Sequence, residues 1–262
     1  MPACSILQAN IYSYIICSPL PSPSQVPKIN TLFPLWISAF RLRHKFSVFS
    51  SADGSAYLEV GLNKILAVVT GPTDMKKYNE QLAKKGVLSL HVSSTAFSSY
   101  EHRKKRLKER RTSEMESMLK KAFEGVIMLE LYPRCEISIT LHVLESDGSI
   151  VCTMVNAITL ALMDAGISMS DTIAACAVGH LQGKLFVDTI QMEQHCKEAY
   201  LPMAVRSKDN NLVFFQLNCN LNINTLGDAL EIGIEGCNKI KLYLENAKKS
   251  CMRNALRISE NS

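Results

Sequence analysis

Gly148, Ser149, Ile150 and Val151 stand where a strand-like pattern gives way to a helix-like one, and this junction is where the chain could handle phosphate. A glycine turn running into a helix aims backbone N–H groups, at the positive end of the helix dipole, toward one point. A Lys or Arg in that turn would add the charge that holds a dianion. Here the turn continues as Ile150-Val151, so the backbone arrangement comes without its cation. Asp188 is the second residue of chemical interest. It ends the apolar run Leu185 to Val187, where a carboxylate can hold a cation or cap a helix. Glu193 and Gln194 follow it, and one carboxylate at a strand end is a weak metal signal.

The third group is basic. From Glu101 to Arg111 the chain reads EHRKKRLKERR, seven Lys or Arg against two Glu. Lys76-Lys77 and Lys84-Lys85 lie upstream, across one short strand pattern. Each Lys or Arg that neutralises a phosphate releases counterions, so such groups suit a polyanion track. A solvated loop or helix face is the alternative. Lys76, Lys77, Arg103, Lys104, Lys105, Arg106, Arg110 and Arg111 are the candidate residues for binding such a polyanion.

Other chemistry finds little footing. There is no GxSxG elbow, and His91, His102, His142, His180 and His195 are scattered. The nine cysteines form no CxxC and no Cys/His quartet at zinc-finger spacing, and Cys152, Cys176 and Cys237 sit in apolar runs. Buried, reduced thiols in an intracellular protein are expected. No metal and no cofactor is expected.

These residues need a scaffold, and its pattern is α+β. Ile137, Ile139, Leu141 and Val143 alternate with Ser138, Thr140 and His142, the period of a half-buried strand. Asp147-Gly148-Ser149 breaks it, a helix is predicted from Val151 to Ala165, and Gly166 suits its C-cap. Upstream, Ala56–Val60 and Lys64–Thr70 read as strands joined by Gly61-Leu62-Asn63, with Gly71-Pro72 ending the second. Leu88, Leu90 and Val92 mark a further strand. Ser113-x-x-Glu116 reads as a capping box for a helix whose inward stripe is Met115, Met118, Leu119, Ala122, Phe123 and Val126. Ile173–Val178, Leu185–Val187, Leu201–Val205 and Leu212–Leu217 are predicted strands, and Thr225-x-x-Asp228 would cap a last helix.

With 47% apolar and 20% charged residues the 262-residue chain has the composition of a soluble globular protein. Its first 52 residues differ, with no Asp or Glu, four Lys or Arg and six of the nine prolines. No apolar run approaches the ~20 residues of a membrane helix. Residues 1–51 are expected to be an atypical, disordered extension or the product of a misassigned start, and 249–262 a flexible tail.

Ala52-Asp53-Gly54-Ser55-Ala56-Tyr57, then Asn63-Lys64, Gly71-Pro72, Leu144 to Met169 and Leu185 to Asp188, in that order, resemble the RNase PH family and, within it, the ring subunits of the RNA exosome. The likeness covers about residues 41 to 248. It implies a ribonuclease PH-like fold (ribosomal protein S5 domain 2-like), with mixed sheets packed with helices, over residues 52–248. It further implies a ring built from such subunits, a heterodimer with the subunit called ribosomal-RNA-processing protein 45, contact with cap subunits, and single-stranded RNA as ligand, with no membrane. Residues matching Lys76, Lys77, Arg110 and Arg111 line the RNA path in that family. Competent relatives carry Gly-Gly-Thr/Ser-Arg in the turn and two carboxylates for Mg²⁺. Gly148-Ser149-Ile150-Val151 and the pair Asp188 and Gln194 therefore read as degenerate phosphate and metal sites, and the family's DGRR-type segment is missing. The expected function is a non-catalytic channel and scaffold subunit for 3′-to-5′ RNA processing and degradation (rRNA processing, mRNA decay), in nucleus, nucleolus and cytoplasm. An active phosphate-dependent 3′-to-5′ exoribonuclease is the alternative.

Overall fold

The structure is a computed structural model and describes residues 42–74, 85–98, 110–181, 183–189, 199–217 and 221–260. Two sheets carry it. The first holds β1 (Leu42–Phe46), β2 (Gly54–Val60), β3 (Asn63–Asp74), β4 (Val87–Ser94) and β5 (Cys135–Glu145), in the order β1-β2-β3-β5-β4. Neighbours run antiparallel except β4 and β5, which are parallel. Parallel strands need a crossover, and α1 (Arg110–Glu124) lies in it. The alternation along β5 puts Ile137, Ile139, Leu141 and Val143 in the core, and Leu119, Ala122 and Phe123 of α1 are buried with them.

The second sheet is antiparallel, in the order β7 (Lys184–Val187), β6 (Ile173–Leu181), β8 (Ala199–Arg206) and β9 (Leu212–Phe215). Helix α2 (Ile150–Asp164) packs on β2 and β3 of the first sheet and on β6 and β8 of the second. It is accordingly buried without a break from Cys152 to Leu162, apolar there but for Thr153, Asn156 and Thr159. Helix α3 (Ile223–Glu260) packs on β6, β7 and β8. The α+β class and the mixed sheet are as the sequence predicts, and Gly166 stands after α2 at φ +69°. Cys152, Cys176 and Cys237 are free and buried.

The opening motif has a physical reason for each residue. Asp53 Oδ2 accepts the Gly71 N–H at 2.7 Å, which ties the start of β2 to the far end of β3. Gly54 lies against the end of α2, where a Cβ would come within 2.5 Å of Ala165 Cβ and N. The Ser55 N–H donates to Asp164 Oδ2 at 2.9 Å. The same carboxylate accepts the Ser47 N–H at 3.1 Å and the Ser47 hydroxyl at 2.9 Å.

Several expectations change. A strand, β1, precedes the boundary expected at Ala52 and pairs along β2 from Leu42↔Val60 to Phe46↔Ala56. Gly71-Pro72 does not end β3. The strand passes through it to Asp74, absorbing the irregularity as a register shift between Thr70 and Thr73. Ser113 lies inside α1, not ahead of it, and Glu116 Oε1 accepts the Val92 N–H at 2.9 Å, on the edge strand β4. An N–H on that edge has no further strand to meet. Thr225 is also inside its helix, and Asn222 O accepts the Leu226 N–H at 3.0 Å and the Thr225 hydroxyl at 2.8 Å. Residues 249–260, expected as a tail, continue α3.

Candidate nucleic-acid interface

The parallel pair β4 and β5 points its carboxyl ends the same way, and in α/β arrangements that end forms the binding crevice. Three described segments meet there: the turn after β4, the turn after β5, and the start of α1. The Val92–Glu116 hydrogen bond holds the amino-terminal half of α1 beside the last residues of β4. Arg110 and Arg111 begin that helix, both exposed. Arg110 Nε donates to Glu114 Oε1 at 3.0 Å, an exposed pair one turn apart that offsets part of its charge.

The turn after β5 is held by two anchors. Asn63 Oδ1, on the β2–β3 hairpin, accepts the Asp147 N–H at 2.7 Å. The Ser146 N–H and hydroxyl donate to Ser98 O at 2.9 and 3.1 Å. Gly148 and Ser149 then take left-handed backbone angles, φ +73° and +41°. The first α2 bond runs from the Thr153 N–H to Ser149 O at 3.2 Å. The strand, glycine turn and buried helix predicted from sequence are therefore present, and the first-turn N–H groups of α2 precede any intrahelical acceptor.

The Ser149 side chain is engaged within the fold. Ser149 is 1% exposed, and its hydroxyl makes no cap but donates to Thr189 O at 3.2 Å, with Thr189 Oγ1 at 3.3 Å. Tyr200 adds a hydrogen bond to the same Ser149. Burial, with the thiol of Cys152 beside it, pushes the Tyr200 phenol well above its ordinary range, and the Ser149 bond only partly offsets this. Ile150 and Val151 are half-buried and apolar. Asp188 directly follows β7 in a left-handed conformation, φ +64°, with its N–H donated to Ala177 O at 2.8 Å. Non-glycine residues rarely adopt that region without a compensating constraint. The fold thus brings Ser149, Thr189 and Tyr200 together, with Asp188 next in the chain to Thr189.

Sequence reasoning missed Thr189 and Tyr200, since a hydroxyl after a strand and an aromatic within one carry no local signal of convergence. Lys76, Lys77, Arg103, Lys104, Lys105, Arg106 and Gln194 lie outside the described residues. Among the described residues no three His, Cys, Asp or Glu side chains are grouped as a metal site would need. Among them, too, no helix is long and apolar enough to cross a membrane.

Comparison with known proteins points the same way as the geometry. Residues 41–168 match domain 1, and residues 171–236 domain 2, of the 3′ exoribonuclease family, RNase PH. The chain is 35% identical over 196 residues to "Exosome complex component Rrp41" of Methanopyrus kandleri, covering 75% of this chain and 82% of that protein. It is 37% identical to "Exosome complex component SKI6" of Saccharomyces cerevisiae, over 73% of this chain and 78% of the other. With human "Exosome complex component RRP41" the identity is 31%, over 82% and 88%. Rice Rrp46 shares the fold with a TM-score of 0.72 at 20% identity, covering 80% of this chain and 95% of that one. An Archaeoglobus fulgidus exosome with RNA bound to the active site gives a TM-score of 0.69 at 16% identity, over 78% and 88%. Both family domains, matched in order over most of the chain, make it a member of the 3′ exoribonuclease (RNase PH) family.

Proposed function

We propose that the protein is a non-catalytic RNase PH-like ring subunit of the RNA exosome, of the ribosomal-RNA-processing protein 41 type. Its relatives of that name support the ring assignment. In this reading it pairs with a ribosomal-RNA-processing protein 45-type subunit and contacts the cap subunits. It lines the path of single-stranded RNA toward nucleases elsewhere in the complex. Its setting is rRNA processing and mRNA decay in nucleus, nucleolus and cytoplasm.

The observation that carries the non-catalytic reading is the side-chain content of the turn. Phosphorolysis requires a phosphate dianion held beside the scissile phosphodiester, with positive charge to balance what develops. Here the two residues that open α2 are Ile150 and Val151, and the Ser149 hydroxyl is spent on Thr189. A charge-assisted hydrogen bond is worth about 1.5–3 kcal/mol, and this turn offers no cation to make one. Mg²⁺, where relatives bind it, offsets charge on the transferring group. Asp188 is one carboxylate for such an ion, and the matching second position is the amide Gln194. An amide contributes no charge, so the residue types present do not fit the ion.

The test is release of nucleoside diphosphates from a polyadenylate tail in inorganic phosphate, by the protein alone and in its assembly. None attributable to this chain is expected. Val151→Arg alone should leave that result unchanged, because Gln194 still lacks the carboxylate. Phosphate-dependent shortening that disappears when this subunit is removed would overturn the reading.

A further inference from the structure

We propose that Phe97 is a stacking platform for one unpaired nucleobase of single-stranded RNA. This rests on the RNA-path reading above and names a contact within it.

Phe97 is 74% exposed, the most exposed aromatic side chain among the described residues. A single exposed apolar residue is common on protein surfaces, so exposure alone carries nothing. What sets Phe97 apart is how firmly its backbone is held. Thr95 donates its N–H to Val143 O at 3.1 Å and its hydroxyl to the same oxygen at 3.0 Å. The Ser98 N–H and hydroxyl both donate to Thr95 O, at 3.1 and 2.8 Å, closing a tight turn around Phe97. Ser98 O in turn accepts both donors of Ser146. Ser98 is 7% exposed, so a buried residue immediately follows a ring that stands in water. A ring presented from a fixed turn has its ordering cost met in advance, which favours binding.

Its position selects the ligand. The same hydrogen bonds that hold the turn run to Val143 at the end of β5 and to Ser146, two residues before Gly148. Phe97 therefore stands at the carboxyl ends of β4 and β5, the end at which α1 begins with Arg110 and Arg111. Cations for a backbone and an aromatic face for a base are the two components of sequence-tolerant single-strand binding. A protein neighbour would ask instead for a continuous apolar patch. Exposed Leu62 adjoins Asn63, and polar Ser146 and Asp147 intervene in the chain of hydrogen-bonded residues between it and Phe97.

The test uses the full-length protein as wild type, Phe97→Ala, Phe97→Leu and Phe97→Trp. Affinities are measured for an adenylate oligonucleotide and for an abasic ribose-phosphate oligomer of equal length, across a salt series. Phe97→Ala and Phe97→Leu should weaken adenylate binding by about 5- to 150-fold, the range for one stacked base. Phe97→Trp should retain it. The abasic oligomer should not distinguish the variants, and the salt slope should stay constant because every cation facing a phosphate is still in place. Equal adenylate affinity for wild type and Phe97→Ala, with Arg110 and Arg111 still needed, overturns the platform and leaves the RNA path standing. Binding of neither oligomer by wild type removes the RNA path and the platform with it. Loss of subunit association in Phe97→Ala, with RNA affinity intact, makes Phe97 a protein contact and also overturns the proposal.

Discussion

The side-chain amide of Asn156 on α2 completes the open edge of β6 at Ala175. Asn156 Nδ2 donates to Ala175 O at 2.9 Å, and Asn156 Oδ1 accepts the Ala175 N–H at 2.9 Å. Strand β7 reaches β6 only from Val178 onward, so this stretch of edge would otherwise meet no strand. The pairing also fixes the height of α2 against the second sheet, and with it Ser149 against Thr189.

Asn156→Ala should therefore destabilise the fold by about 2–4 kcal/mol, since it strands a buried N–H and a buried carbonyl. Asn156 is 4% exposed, so water cannot readily substitute. Urea unfolding of the two proteins gives the difference directly, and a loss below about 1 kcal/mol would refute the edge-completing role.

Gly54→Ala should cost at least about 2 kcal/mol through overpacking. The added Cβ would meet Ala165 N at 2.5 Å and Ala161 O at 2.6 Å, both backbone atoms that cannot swing away. A shift in thermal midpoint measures it, and the drop should exceed that of Gly227→Ala, within α3, where no heavy atom lies within 4 Å.

His44 gives the stability a pH dependence. Its Nδ1 lies 2.6 Å from the Tyr243 phenol oxygen, and that hydroxyl donates to Leu42 O at 3.1 Å. With the phenol proton given to Leu42, the tautomer assigned to His44 carries its proton on Nδ1. Burial lowers the imidazole pKa in the folded chain below its ordinary value of 6.5. The unfolded chain then binds more protons near pH 6, so this contribution is whole above about 6.5 and declines as the pH falls toward the folded value. Urea midpoints measured from pH 8 to pH 5 should fall accordingly. His44→Gln, which keeps a polar partner and does not titrate, should flatten that part of the curve.

Replacing Arg110 and Arg111 by Glu, together with Lys76 and Lys77, should weaken RNA binding without lowering the melting temperature. Both arginines are exposed and outside the core. Each cation that no longer meets a phosphate should reduce the slope of log affinity against log salt by about 0.7. If slope, affinity and melting temperature all hold, the basic residues are only a solvated surface.

Where an element's partners are uniform, the sequence was a sufficient guide. The alternation of β5 and the mostly apolar run of α2 follow from burial, and both were legible. Ser113-x-x-Glu116 misled because Glu116 spends its carboxylate on Val92, 24 residues away. β1 escaped notice because its inward His44 is polar and makes sense only beside Tyr243 on α3. The Gly148-Ser149 turn could be located, but the use of the Ser149 hydroxyl could not. Its partners Thr189 and Tyr200 arrive from the second sheet, and their convergence is a property of topology rather than of spacing. Phe97 was silent for a related reason, since exposure is decided by the neighbours that a fold withholds.

The reach of α3 carries a consequence for how the chain acquires its structure during synthesis. Tyr243 contacts His44 across 199 positions of sequence. A strand made early can thus gain its latch only after residue 243 has left the ribosome, and contacts of such separation are slow to form. Until then β1 can pair with β2 but lacks the phenol that clasps Leu42 and His44. A nascent chain stalled before Tyr243 would therefore present the first sheet with its outer strand unclasped.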